Sequence, residues 1–474
     1  MDLDAMLAPL PDVLPGDAQS IAESVRRSKR VLIVLDDDPT GTQSVADLPV
    51  LTGWGRDDFA WAFATDAPAV YVLTNSRSLD AASAARVNRE VVTAAVDAAR
   101  ERGIRVAFVS RSDSTLRGHF PLEPDVIAET LVALGEPRPD GVILVPAFPD
   151  AGRVTIGGVH GVAADGTFTP VGETEFARDS TFGFRSSRLA DWAEEKSEGR
   201  IAASDVVELT LDVLRAGPER VAEALRDAAQ GTVFAVDAVV EDDLRQLALG
   251  LELAEADGRS FVHRVGPPFV RARIGQLPRS PLQIDETDAV VPTTRGGLVV
   301  VGSHVGLTSR QLAHLTAQRP DALVIELDVP SILGEDGGAA VVDGAVAAVI
   351  EGLATRDVIL HSSRTLIRTA DPDESLAISR RVSDALVEVV ARTLAARPPR
   401  FVIAKGGITS SDVASRGLSI TRAFVRGPLF PGIVSVWQPA EGPAAGIPYI
   451  VFAGNVGGDT TLTEAVAKLS AFSS

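Results

Sequence analysis

Short, continuous β-branched runs alternate through both halves of the chain with longer stretches whose apolar residues recur every three or four positions. A strand covered on both faces needs apolar residues throughout, and a helix laid against it needs one apolar stripe. The alternation therefore predicts βαβ units around a parallel sheet. In the first half, strands are expected at Val31–Leu35, Ala69–Thr74, Arg105–Ser110 and Gly141–Val145, with a helix over Ala81–Arg102. The rhythm then changes. Residues 152–170, GRVTIGGVHGVAADGTFTP, read as a hairpin or glycine-rich flap, followed by a charged helix near Leu189–Lys196. Strand, helix and strand resume at Val206–Leu211, Val221–Ala229 and Thr232–Val236.

Between Pro267 and Thr294 helical periodicity is lost and five prolines gather, which marks a domain boundary. A second series follows, with strands at Gly297–Val301, Ala322–Leu327, Val358–His361, Phe401–Ala404, Ile433–Trp437 and Tyr449–Phe452. Helices are expected from Thr308, over Glu374–Ala395 and over Thr460–Leu469. The fold class is α/β, with two domains, 1–275 and 276–474, each a mostly parallel sheet flanked by helices.

The 474 residues suffice for two such cores. Sixty-four acidic against 45 basic residues leave a net charge of −19, which argues against nucleic-acid or anionic-membrane partners, since both require a basic face. No cysteine is present, which excludes disulfides, thiolate catalysis and thiolate metal sites. Only Lys29, Lys196, Lys405 and Lys468 are lysines, so arginines, backbone amides or one unusual lysine must handle any phosphate. The first residues lack a charged flank and apolar run, and no stretch is long and apolar enough for a membrane span, so the expected compartment is cytoplasmic. A homo-oligomer is compatible with this composition.

Ligands of open α/β sheets gather at the carboxyl ends of strands, so those ends are where chemistry is sought. The first strand ends in Asp36, Asp37 and Asp38 before a Pro39-Thr40-Gly41 turn; three neighbouring carboxylates need a metal, sugar hydroxyls or arginines, or else one caps a helix while the others are solvated. Arg77 follows the second strand. The third ends in a cluster of Arg111, Asp113, Ser114, Thr115, Arg117 and Gly118, suited to a carboxylate or phosphate and a polyol. In the second half a strand runs into a small-residue turn and a helix three times. The turns hold Gly302-Ser303, Lys405-Gly406-Gly407 with Thr409, and Gly454-Asn455-Val456-Gly457. Such turns can aim backbone N–H groups at phosphates, as for a nucleotide. Thr308 and Gln311 form a capping-box pattern after the first. Neither GxxxxGK[ST] nor a GxGxxG after the first strand of either half occurs, and no histidine pair has metal-ligand spacing.

Two rival readings fit parts of the pattern. Asp36 to Thr40 also matches the DxDxT opening of haloacid-dehalogenase-like phosphatases, but no lysine lies between Lys29 and Lys196 and no acidic pair closes a later strand of that half. A non-catalytic sugar-acid-binding protein is the second rival. Over nearly its whole length the chain resembles the four-carbon acid sugar kinase family, through DDDPTG at Asp36–Gly41, DSTLRG at Asp113–Gly118, the GS turn at Gly302, KGGITSSD at Lys405–Asp412 and GNVG at Gly454–Gly457. That resemblance implies an amino-terminal domain for the sugar acid, a carboxyl-terminal domain for ATP and an active site in the cleft between them. It implies Mg²⁺ and transfer of the γ-phosphoryl group to a hydroxyl of threonate, erythronate or a 3-oxo-tetronate. Asp37 and Asp38 are then expected to bind the acceptor and remove its proton, with the choice of base open. Asp36, Arg77, Asp113, Ser114 and Arg117 are expected to hold the acid, and Ser303, Gly406, Gly407, Thr409, Gly454, Asn455, Val456 and Gly457 the ATP. No metal ligands are assigned. Family members often carry Lys at Arg111, Asn at His119, Glu at Ile408 and Pro at Ala453, so the substrate is the least determined part.

Overall fold

A computed structural model describes residues 1–227, 230–283, 295–334, 338–364 and 372–470. The chain forms two compact units, Met1–Pro278 and Arg279–Ser474. Part of the proline-rich boundary segment, 284–294, lies outside the described residues, as do the last residues of the helix expected at Val221–Ala229.

The first unit carries strands β1 (Arg30–Asp36), β2 (Leu48–Leu51), β3 (Ala69–Leu73), β4 (Arg105–Arg111), β5 (Gly141–Val145), β6 (Arg153–Ile156), β7 (Val159–Ala164), β8 (Thr167–Pro170), β9 (Val207–Leu209), β10 (Thr232–Val236) and β11 (Phe261–Val265). Eight of them form a sheet in the order β2-β3-β1-β4-β11-β5-β10-β9, parallel at every pairing. The β-branched runs predicted these strands because both faces are covered, and β1 and β3 are buried along most of their length. The helix over Ala81–Arg102 starts where the Asp80 carboxylate accepts the Ser83 N–H and ends at left-handed Gly103. Its Val91, Val92 and Val96 pack with Ile33, Val70, Val72 and Phe108 of the sheet and with Phe59 and Phe63 of the helix Arg56–Phe63. The expected flap is a separate antiparallel sheet, β6-β7-β8.

The second unit holds β12 (Leu298–Val301), β13 (Leu323–Leu327), β14 (Val358–Ser362), β15 (Val402–Lys405), β16 (Arg422–Phe430), β17 (Ile433–Pro439) and β18 (Tyr449–Phe452), ordered β13-β14-β12-β15-β18-β17-β16. The first four pairings are parallel and the last two antiparallel, so this sheet is mixed, a parallel majority with an antiparallel edge. The cause is a tight turn at Pro431-Gly432, which joins β16 to β17 as a hairpin and leaves no chain for a crossover helix. Strand β16 escaped the periodicity reading because its alternation breaks at a bulge between Val425 and Gly427. The helix Pro268–Arg273 escaped for a different reason: all six residues are buried, so it has no polar face to set a period. Among the described residues no helix is long and apolar enough to cross a membrane.

Candidate functional site

In-register parallel pairing brings the ends of β1, β3 and β4 level: Asp36 stands opposite Leu73 on one side and Arg111 on the other. The chain beyond β3 is hooked onto the aspartates' own backbone, since Thr74 and Asn75 donate N–H groups to the Asp36 carbonyl and Arg77 to that of Asp37. Arginines answer the three carboxylates. Arg77 chelates Asp37 with bonds of 2.6 and 3.1 Å and lies 3.5 Å from Asp38. Arg111 pairs with Asp36, lies 3.3 Å from Asp37 and donates at 2.5 Å to the Asp38 carbonyl. Arg111 fits only because residue 41 is glycine, where a Cβ would stand 2.2 Å from the guanidinium Nε. The glycine of the DDDPTG turn makes room for a side chain there.

The three aspartates are not equivalent. Asp36 and Asp37 are each 1% exposed, whereas the Asp38 side chain is 22% exposed. Asp38 Oδ1 accepts from the Thr40 N–H and hydroxyl, capping the short 3₁₀ turn, and among the described residues its Oδ2 has only the long Arg77 contact. The helix-cap reading of this cluster therefore holds for Asp38. Burial pushes the Asp37 carboxyl up to about 7 against the pull of Arg77. Burial also opposes the Asp113 charge, but Arg77 and Arg117 prevail and hold that carboxyl at about 2.

Asp113 accepts from Arg117 at 2.6 Å and from Thr115, and Arg117 lies across the Phe176 ring, 3.2 Å from the Thr115 hydroxyl and 3.7 Å from Asp179. Ser114 is buried and its carbonyl meets His160 Nε2 at 2.7 Å, so its backbone is fixed from the β7 side. Two buried charges here were not singled out as site residues by the sequence: Glu123, on the helix Leu122–Ala133, and Arg264 at the end of β11, which are paired at 2.5 Å. Their signal is faint, one letter each in an apolar context.

In the second unit the first and third small-residue turns meet through the side chains of Thr308 and Gln311. The Thr308 hydroxyl donates to the Gly454 carbonyl at 2.8 Å and lies 3.2 Å from Ser303 Oγ, while Gln311 Nε2 donates to the Val456 and Gly458 carbonyls. The capping box expected of Thr308 and Gln311 is therefore absent: the helix Gly306–Gln318 is capped at Val305, and both side chains lie inside it, spent on holding the Gly454–Gly458 turn. Gly457 has a positive φ of 85°, and a Cβ there would meet Thr461 at 2.7 Å. A larger residue at 457 would thus disturb the turn itself, which removes it as a clean probe of a ligand's approach. Gly407 opens the short helix Gly407–Asp412, and Thr409 within it is buried.

Lys405 closes β15 at 0% exposure. Its ammonium donates to the Ala453 carbonyl at 2.6 Å and sits 3.8 Å from the centre of the Phe452 ring. No carboxylate among the described residues pairs with it, and burial draws its pKa down to about 7. Among the described residues no group of three or more His, Asp or Glu side chains could hold a metal ion. Mg²⁺ that arrives on a triphosphate needs few protein ligands.

Comparisons with known proteins fit this division of the chain. Residues 32–273 match the model of a sugar-binding N-terminal domain, and residues 298–462 that of a nucleotide-binding C-terminal domain. A D-erythronate kinase of Heliobacterium modesticaldum is 30% identical over 213 residues, 43% of this chain and 42% of that protein, so this match spans under half of either. A 3-oxo-tetronate kinase of Methylobacterium radiotolerans is 28% identical over 80% of this chain and 84% of its own, and a D-threonate kinase of Cupriavidus necator 28% over 72% and 74%. The fold is shared with a solved Haemophilus influenzae protein, at a TM-score of 0.59 and 21% identity over 92% of this chain and 98% of that one. A solved protein of Salmonella typhimurium LT2 shares it at a TM-score of 0.64 and 18% identity over the same shares. With both domain models matched in order, the chain belongs to a family of four-carbon sugar-acid kinase-like proteins.

Proposed function

We propose that the protein transfers the γ-phosphoryl group of MgATP to a hydroxyl of a four-carbon sugar acid of the threonate, erythronate or 3-oxo-tetronate type. The observation that carries this reading is the arrangement at the end of β1. There a partly exposed carboxylate, Asp38, stands beside the Arg77–Asp37 chelate, in the unit that matches a sugar-binding domain. Phosphoryl transfer asks for positioning and charge neutralisation more than for covalent chemistry. Asp38 Oδ2 accepts the proton of the attacking hydroxyl, and Asp37 sets the plane of Arg77. Arg77, Arg117, Asp113 and Ser114 bind the acid and its hydroxyls, with Asp36 held behind them by Arg111. Ser303, Gly406, Gly407, Thr409 and Gly454–Gly457 surround the nucleotide, with Lys405 as the nearby cation. Phosphoryl transfer then requires the two bound substrates to meet. Mg²⁺ bound with the triphosphate would supply charge neutralisation there.

The phosphatase reading would make Asp36 a nucleophile, yet Asp36 is buried and held by Arg111. Coupled ADP release with a panel of D- and L-threonate, D-erythronate and 3-oxo-tetronates tests the proposal. ADP formed with one of these acids supports it, and phosphate release from phosphosugars without ATP would replace it with the phosphatase.

Two further outcomes are expected in the same assay. Arg117→Ala removes a charged partner of the acid, and such contacts contribute about 1.5–3 kcal/mol, so the KM for the acid should rise about tenfold or more while MgATP affinity stays put. Lys405 with a pKa of about 7 is charged below that value and neutral above it. Nucleotide affinity should therefore fall as pH rises through about 7, with proton uptake on binding at the alkaline end. Calorimetry in buffers of different ionisation heat reads both effects, and Lys405→Met should abolish the pH dependence; a dependence retained in that variant would clear Lys405 of the role.

A further inference from the structure

The Glu123 carboxylate, 2% exposed, is paired with Arg264, a buried arginine outside the set assigned to the acid. Its Oε1 accepts from the Ser76 hydroxyl at 2.5 Å, and its Oε2 accepts from the Ser110 hydroxyl at 2.7 Å and from Arg264 at 2.5 Å. Arg264 also donates to Ser110 Oγ at 2.7 Å. Ser76 immediately precedes Arg77, and Ser110 immediately precedes Arg111. One carboxylate thus grips the chain next to both arginines that neutralise the aspartates, one at the turn after β3 and one at the end of β4. His119 adds a second hold on the same turn, with Nε2 at 3.1 and 3.0 Å from the Ser76 and Leu79 carbonyls.

We propose that Glu123 is a positioning residue for the acid-binding site, which sets the placement of Arg77 and Arg111, and through them of Asp37, by bonding the serine before each arginine. This rests on the reading of the first unit as the sugar-acid site. A surface carboxylate could do nothing similar, because two neutral serines gain little from an acceptor that water also supplies. Here the carboxylate is dry and all its bonds are charge-assisted, so its position is sharply defined. It lies in the first turn of the helix Leu122–Ala133, where the helix dipole favours a negative charge. Burial alone would raise its pKa, but Arg264, Ser76 and Ser110 outweigh that and keep it below the usual glutamate value. It is therefore ionised throughout the working range.

The charge itself leaves a second trace. Asp37 is faced by Arg77, Arg111 and Arg264, by Glu123 from behind, and by Asp36 and Asp38 on its own strand end. Glu123 is a like charge that makes ionisation of Asp37 harder, and it masks Arg264, which would make it easier. Removing the Glu123 charge should therefore move the acid limb of the acid's kcat/KM profile to lower pH. A residue that only fills space would leave the limb where it is.

The test uses the full chain. Glu123→Gln keeps the shape but cannot accept bonds at both ends, and it should raise the KM for the preferred acid about tenfold, with the MgATP KM unchanged and the acid limb displaced to lower pH. Because Glu123→Gln leaves Arg264 buried without its counter-ion and can fail to fold, Ser76→Ala and Ser110→Ala are measured beside it. Each removes one bond to Glu123 and no charge, and each should raise the acid KM by a smaller factor with the limb in place. Binding of the acid without nucleotide, followed by calorimetry, separates the two readings. If the wild type binds a four-carbon acid but releases no ADP, the kinase reading falls and the Glu123 assignment is still read from the binding constants. An unchanged acid affinity in both serine variants, or in a folded Glu123→Gln protein with an unmoved acid limb, overturns the assignment, as does a wild type that binds none of the acids.

Discussion

Asp38→Asn should lower kcat by about 10²–10⁴-fold, the usual worth of a positioned general base, while both KM values change only a few-fold. Asparagine keeps the oxygen that caps Thr40, so the turn survives, but the atom offered to the acceptor hydroxyl can no longer take a proton. Asp37→Asn should behave differently. Its carboxylate is chelated by Arg77 on both oxygens, so its loss frees Arg77 and shows mainly in the KM for the acid. The pH profile distinguishes the two further. Asp37 carries its charge above about 7 and loses it below, so kcat/KM for the acid should decline as pH falls through that region, and the decline should vanish in Asp37→Asn. Steady-state kinetics of both variants across pH is sufficient. Near-normal kcat in Asp38→Asn, with an inactive Asp37→Asn, would exchange the roles assigned to the two residues.

The largest stability effect is expected at Arg111. Arg111→Met replaces the guanidinium with a side chain of similar reach and leaves Asp36 buried without its arginine, beside the equally buried Asp37. Breaking a buried pair by removing one partner costs about 3–5 kcal/mol, chiefly the penalty of the stranded charge. The urea midpoint of the first unit should fall accordingly. Asp36→Asn placed in the Arg111→Met background should recover part of the loss, because the stranded charge is then gone, and the two changes should be strongly non-additive. A single Arg111→Met variant as stable as the wild type would show that the pair is not holding this strand end together.

Much of this could be read from the letters alone, and the reasons are physical. Strands β1, β3, β4 and β5 are covered on both faces, so they spell continuous apolar runs that no helix or turn imitates. Their carboxyl ends could therefore be located, and with them Asp36–Asp38, Arg77 and Asp113–Arg117. What was not legible depends on who pairs with whom. The sequence shows that three aspartates need compensation, but only the register shows that Arg111 meets Asp36 and Arg77 meets Asp37. Thr308 and Gln311 have the spacing of a local cap, yet a turn more than 140 residues away takes both side chains, and no local pattern reports that. Glu123 and Arg264 are 141 positions apart and sit among apolar neighbours, where a single charged letter looks like a solvated one. Lys405 was conspicuous for its rarity, but its isolation from any carboxylate is a property of the fold.

The space that Gly41 leaves for Arg111 also fixes an order of events for any sequence descending from this one. With arginine at 111, a methyl group at 41 would overlap the guanidinium, so alanine at 41 is closed until position 111 has changed. A lysine at 111 would put Cε where arginine has Nε, but its chain is flexible and ends in a compact ammonium rather than a planar fork, so it can keep a charge near Asp36 along another path. From this chain, then, exchange at 111 has to come first and exchange at 41 second, while a lineage that begins from lysine can acquire either residue at 41 and, once it has taken alanine, can no longer return to arginine without first restoring the glycine.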